Sequence, residues 1–268
     1  PPCVDKIIEA GIHKVIYAVK DTTLISKGDD ILKNAGIEVE FQYNAVAAQL
    51  YQDFFTAKRN GIPELTVKVS ASLDGKQATD DGESKWITNK EVKKDAYQLR
   101  HSHDAVLTGR KTVEADDPLY TTRIADGKHP IRVILSKSGK LDFNQQLFHD
   151  YASPIWIYTE NKNLKVDNSN VTIIYMEQCD IKSILKDLYQ KGIGKLLVEA
   201  GPEITSEFLQ SDHLDHLVLY FAPKIIGGSG KYQFFQTDQI VSLPDTTQFE
   251  IVNSTLIQQN IKLVLRKK

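Results

Sequence analysis

The chain has 268 residues, 41% of them hydrophobic, enough for one large domain or two small ones with cores of their own. A formal net charge of -2 argues against a broad nucleic-acid surface, which needs dense Lys and Arg patches. Two cysteines, Cys3 and Cys179, cannot build a disulfide framework, no apolar run approaches the roughly 20 residues that span a bilayer, and no signal peptide opens the chain. The expectation is therefore a soluble, cytoplasmic protein with neither a nucleic-acid nor a membrane partner.

The first sixty residues alternate between helix and strand. Helices are expected over Val4–Ala10, Gly28–Asn34 and Val46–Arg59, with strands over Lys14–Val19 and Ile37–Phe41 and a helix stop at Gly36. Asn60-Gly61-Ile62-Pro63 combines a helix stop with a turn, which places a boundary between a partial α/β domain at 1–62 and a second domain at 63–268. Strands follow over Leu65–Ser72, Ala105–Thr108, Ile131–Leu135, Ile155–Tyr158, Val171–Tyr175 and Lys195–Glu199. Three more are expected over His216–Ala222, Phe249–Leu256 and Ile261–Leu265, and helices over Asn89–Ser102, Ile181–Lys191 and Glu203–Gln210. Strands alternating with helices and ending in consecutive strands indicate an α/β fold with a mainly parallel sheet and an antiparallel C-terminal edge.

Several residues stand out against this background. Alternation along Thr66–Ser72 puts Lys68, Ser70 and Ser72 on one face, and a Lys inside an apolar strand needs an anionic partner unless the strand is a solvated edge. Asp74-Gly75 reads as a turn. Trp86, among small polar residues before a helix, can flank a planar ring or serve as an anchor. Gly109-Arg110-Lys111-Thr112 reads as a loop at a strand's C-terminal end, able to offer backbone N–H groups to a phosphate. In Leu196–Glu203 an apolar strand ends in Glu199, and Gly201-Pro202 then opens a helix, a geometry suited to a ligand site. No Gly-x-Gly-x-x-Gly follows an early strand, which disfavours an ordinary Rossmann domain. His101 and His103, two residues apart, cannot share one helical face, and His213 and His216 have a spacing that could bind metal but no evident third ligand, so none is assigned a role.

The run from Val67 to Arg123, together with Leu196–Glu203, resembles the reductase half of the bifunctional riboflavin-biosynthesis deaminase-reductase family, and Pro1-Pro2-Cys3 resembles the last zinc-ligand motif of that family's deaminase. The resemblance implies a dihydrofolate-reductase-like domain preceded by part of a cytidine-deaminase-like domain. It also implies NADPH-dependent reduction of 5-amino-6-(5-phosphoribosylamino)uracil, in a homodimer. Lys68 and Glu199 would handle protons. Ser84, Arg100, Leu119, Arg123 and Glu199 would meet the substrate, the two arginines at its phosphate. Ser70, Trp86, Thr112, Asp116, Ser136, Gly201, Pro202 and Glu203 would meet the cofactor, with Lys137 beside its 2'-phosphate. Cys3 would be the one remaining zinc ligand, because no His-Ala-Glu motif precedes it and the deaminase half looks truncated; zinc would belong to the full-length deaminase. The match weakens at Asp21-Thr22-Thr23-Leu24, where the family has an Asp-Pro-Asn-Pro-like segment. Two other classes fit less of the pattern. A dihydrofolate- or pterin-type reductase would not need Arg100 and Arg123, and a non-catalytic dimerisation module would not bind NADPH.

Overall fold

A computed structural model of the chain describes residues 3–20, 28–48, 51, 60–237, 242–243 and 246–268. It divides into two compact units, Pro1–Ile62 and Pro63–Lys268. The first holds α1 (Cys3–Glu9), β1 (Lys14–Tyr17), α2 (Gly28–Asn34) and β2 (Glu38–Phe41), with β1 and β2 paired in parallel from Lys14↔Glu38 to Tyr17↔Phe41. Tyr17 ties the layers together, because its ring packs on Phe41 at 5.2 Å and its hydroxyl donates to Asp29 on α2 at 2.6 Å. The second strand starts one residue later than expected. Ile37 uses its N–H to close α2 on the Leu32 carbonyl at 3.0 Å, so it does not join the ladder. Most of the helix expected over 46–59, the Pro1-Pro2 pair and the Asp21–Leu24 segment lie outside the described residues.

In the second unit, β3 (Glu64–Ser72) is followed by α3 (Lys90–His101), β4 (Ala105–Gly109), α4 (Arg110–Asp116) and β5 (Ile131–Leu135). A short 3-10 turn at Gln146–Phe148 leads to β6 (Ile155–Thr159), β7 (Val171–Tyr175), α5 (Ile181–Gln190) and β8 (Lys195–Val198). The unit ends with α6 (Pro202–Gln210), β9 (His216–Ala222), β10 (Phe249–Ile257) and β11 (Asn260–Lys267). The strands form a single sheet in the order β10-β11-β9-β3-β8-β4-β5-β6-β7. From β9 to β7 every pairing is parallel, and the β10–β11 hairpin supplies the antiparallel edge.

The central strands explain this order. The five residues of β4 are all buried, as are Leu196, Leu197 and Val198 of β8, and such unbroken apolar runs suit parallel strands covered on both faces. Each fully buried aliphatic side chain contributes roughly 1.5–3 kcal/mol. On α3, Val92 and Ala96 face inward one turn apart, and Val92 packs with Val218 and Tyr220 of β9. Asn89 starts that helix by accepting the Val92 N–H at 2.9 Å, and Asp180 does the same for α5 with Ser183. Asp95 holds α3 to the sheet, accepting from Tyr220 at 2.5 Å and from Lys262 at 2.7 Å.

One expectation needs correction. The Gly109–Thr112 segment is not a loop: Gly109 ends β4 and α4 begins at Arg110. The terminal methyl of Ile204 on α6 packs against the Gly109 backbone, so a side chain there would have to displace that methyl. The strand expected to include Glu199 stops at Val198, although the Glu199 N–H still donates to the Leu107 carbonyl at 2.9 Å.

Candidate active site

A cavity of about 750 Å³ opens beyond the carboxyl ends of β3, β4 and β8. Its floor is built by sheet register. Because Val67 of β3 is level with Val198 of β8, Lys68 stands beside Glu199. Arg100 comes from the last turn of α3. Its guanidinium grips the Glu199 carboxylate through both oxygens, Nε to Oε1 at 2.6 Å and Nη2 to Oε2 at 3.0 Å, while Nη1 donates to the Thr121 carbonyl at 3.3 Å. Lys68 reaches the same carboxylate more loosely, at 3.5 Å. Burial by itself would raise the Glu199 carboxyl, but the Arg100 guanidinium and the Lys68 ammonium outweigh it and hold the group at about 2. Of the two cations, Lys68 is the more weakly held and has donors left for a ligand. Tyr120 closes the floor, donating its hydroxyl proton to the Glu199 carbonyl at 3.2 Å and accepting from the Thr108 hydroxyl at 2.8 Å; burial and Glu199 push its hydroxyl well above the usual phenol range.

The rim is different. Trp86 and Arg123 are exposed and both occupy the left-handed backbone region, with φ of 69° and 49°. Lys93 on α3 places its ammonium 3.5 Å from the centre of the Trp86 ring, and the Arg123 guanidinium lies 5.4 Å from the Tyr97 ring. The chain from Leu73 to Trp86 is strapped down by the segment after β9. Asp74 accepts the Ile226 and Gly227 N–H groups at 3.0 and 2.7 Å, Asp80 accepts that of Ser229 at 2.7 Å, and Lys224 donates to the Trp86 carbonyl at 2.8 Å. The Ser72 hydroxyl and the two amides hold the Asp74 carboxyl well below the usual carboxylate range. Gly228, at φ 89°, sits where a Cβ would be 2.7 Å from Asp80, so the strap needs glycine at this point. Asp74 is thus a structural anchor of the loop, in keeping with its reading as a turn.

Of the residues expected at the substrate, Ser84, Arg100, Leu119, Arg123 and Glu199 all line the cavity, as do Lys68, Ser70, Trp86, Thr112 and Asp116. Ser84 and Asp116, expected to meet different ligands, are joined by a 2.6 Å hydrogen bond. Ser136, Gly201, Pro202 and Glu203 do not line it. Gly201 is adjacent, donating its N–H to Thr112 at 3.1 Å, while Glu203 is exposed and paired with Lys111 at 2.7 Å. Ser136 is buried with no hydrogen-bond partner for its hydroxyl among the described residues, an orphaned polar group at the end of β5. An exposed indole at the cavity and an unsatisfied buried hydroxyl at the end of β5 are groups compatible with a dinucleotide. Cys3 is exposed on α1, and among the described residues no three His, Cys, Asp or Glu side chains gather to hold a metal.

Lys93 and Tyr97 were not singled out in the sequence. The signal lay in the spacing, because positions 93, 97 and 100 follow one stripe of a helix and Arg100 was already a candidate. Among the described residues no helix is long and apolar enough to cross a membrane.

The profile of the RibD C-terminal domain family matches residues 63–263. A riboflavin biosynthesis protein RibD from Bacillus amyloliquefaciens is 35% identical over 274 residues, covering 98% of this chain and 74% of the relative. The solved structure of a diaminohydroxyphosphoribosylaminopyrimidine deaminase/5-amino-6-(5-phosphoribosylamino)uracil reductase from Thermotoga maritima superposes with a TM-score of 0.86 at 30% identity, covering 100% of this chain and 75% of that one. A riboflavin biosynthesis reductase from Saccharomyces cerevisiae shares the fold, with a TM-score of 0.63 at 20% identity over 83% of this chain and 99% of its own.

Proposed function

Because the chain belongs to the RibD C-terminal domain family, we propose that it is the reductase of riboflavin biosynthesis, converting 5-amino-6-(5-phosphoribosylamino)uracil to its ribitylamino product with NADPH. The observation that carries this reading is the buried Lys68–Glu199–Arg100 cluster on the floor of a cavity large enough for two ligands. NADPH, when bound, supplies the hydride for the sugar's C1. The residues of the chain do the rest. Trp86, Thr112 and Asp116 would hold the nicotinamide side of the cofactor, and Ser136, Gly201, Pro202 and Glu203 its more distant part. Ser84, Leu119 and Arg123 would hold the substrate. Opening of the sugar breaks the C1–O4 bond, moves the proton of the C1-bound nitrogen to O4 and leaves a neutral C1–N double bond, so that reduction at C1 would need one further proton at that nitrogen. Lys68 is the proton donor in this scheme, oriented by Glu199, and Arg100 fixes Glu199 rather than reaching the phosphate itself. Positioning of this kind can remove roughly 7–11 kcal/mol of barrier.

The unit Pro1–Ile62 is proposed to correspond to the C-terminal part of the family's deaminase domain, to whose zinc site it would contribute the Cys3 thiolate. A homodimer is proposed from the family resemblance, and the β10 edge, with Ile251, Val252 and Leu256 exposed, offers it an apolar surface; sedimentation gives the mass. The decisive assay follows loss of nicotinamide absorbance with the phosphoribosylaminouracil supplied directly. Turnover with this compound and none with dihydrofolate is expected, and the reverse result would overturn the assignment in favour of a pterin-type reductase.

A further inference from the structure

Four cations, Lys85, Lys90, Lys93 and Arg123, line the cavity without an ion-pair partner among the described residues. The three carboxylates that line the same cavity are committed elsewhere. Asp116 accepts from Ser84, Asp117 accepts the backbone and side-chain N–H groups of Gln146 at 2.7 and 2.9 Å, and Glu199 is held by Arg100 and Lys68. Like charges packed this way repel one another, and the cluster persists cheaply only if an anion visits it. Lys93 is the most constrained member. It is half-buried on α3 one turn before Tyr97, and its ammonium rests on the Trp86 indole instead of on a carboxylate. Burial, then Arg123, Lys68, Lys85 and Lys90, push that ammonium below its ordinary value, which a bound anion would relieve.

We propose that Lys93 is a phosphate-binding residue acting with Arg123, and that the Trp86 indole is its resting place until a phosphate monoester arrives. The inference rests on the reductase reading for the source of the phosphate, the sugar 5-phosphate of the substrate. The geometry of the rim requires only a phosphate dianion, which NADPH also carries. Arg100, held by Glu199 and Thr121, leaves Arg123 without a strong partner for that dianion, and Lys93 is the half-buried cation that can supply one. A ligand at this position draws the ammonium off the indole and frees the ring face for a planar partner.

The test is calorimetric titration of the full chain with ribose 5-phosphate and, separately, with NADPH, for the native protein, Lys93→Met and Lys93→Arg, with tryptophan emission recorded alongside. Lys93→Met is expected to weaken ribose 5-phosphate about tenfold and NADPH less than about twofold, and Lys93→Arg to recover most of the loss. Native emission changes on adding ribose 5-phosphate, and that change is lost in Lys93→Met. Unaltered affinity in Lys93→Met, a loss confined to NADPH, or no binding of ribose 5-phosphate by the native protein would overturn the proposal; binding with unchanged native emission would overturn the resting role of Trp86. Ribose 5-phosphate held through Lys93 in a protein that does not reduce the phosphoribosylaminouracil would sink the substrate assignment and leave this inference standing.

Discussion

The floor and the rim of the cavity are both built from lysine and arginine, yet they are arranged in opposite ways. On the floor, Lys68 and Arg100 share one buried carboxylate, so charge is balanced and each side chain is fixed by another. Lys85, Lys90, Lys93 and Arg123 line the same cavity and form no ion pair among the described residues. Balanced charge orients a reacting group, while unbalanced charge waits for a ligand. Cation content therefore does not separate a catalytic cluster from a binding one; the position of the carboxylates does.

The contrast is broken most severely at Glu199. Glu199→Gln leaves Arg100 buried without its counter-ion and is expected to lower stability by about 3–5 kcal/mol in urea unfolding. It should also lower kcat by at least about 100-fold. A change in stability below about 1 kcal/mol would mean that the floor is not held by this carboxylate. The same group sets a pH dependence. Its carboxyl lies lower in the folded chain, at about 2, than its ordinary 4.5, so the stabilisation is complete above the ordinary value and is lost as the pH falls through it toward about 2. In Glu199→Gln that part of the acid limb of the stability curve should flatten.

Lys68→Met sharpens the comparison within the floor, because Arg100 retains its grip on Glu199. A loss of about 100-fold in kcat is expected, with a smaller change in stability than for Glu199→Gln; a rise in KM alone would move Lys68 from proton transfer to binding. Arg123→Ala tests the rim. The KM for the phosphorylated substrate should rise about tenfold, more at low salt than at high salt, while the unfolding midpoint stays close to native. The smallest effect is expected from Glu203→Gln, which breaks an ion pair as short as those of the floor but exposed on both sides, at 75% for Lys111 and 69% for Glu203. Thermal unfolding should register less than about 0.5 kcal/mol, because solvent screens such a pair.

Residue pattern alone determined much of this molecule. Unbroken apolar runs such as Ala105–Thr108 and Leu196–Val198 can be satisfied only by strands covered on both faces, and the alternation of these runs with helices calls for a parallel sheet. Gly and Pro near residue 62 mark a break in the pattern by backbone chemistry alone. Spaced landmarks from Val67 to Arg123 were also enough to single out Lys68 and Arg100, and the strand-then-Gly-Pro pattern of Leu196–Glu203 singled out Glu199. Local pattern misread Gly109–Thr112 as a loop, because the helix begins at Arg110 directly where β4 ends and no intervening turn residue marks the junction. The tertiary structure alone brings Arg100 against Glu199, through the register of β3 with β8 and the docking of α3, and alone shows that Asp116 and Asp117, which line the same cavity as Lys93, accept hydrogen bonds from Ser84 and Gln146. Periodicity fixes which face of an element is apolar, since that depends on neighbours along the chain. Which charges neutralise one another depends on separation in space, and in this protein the decisive pairs are joined only when the sheet forms.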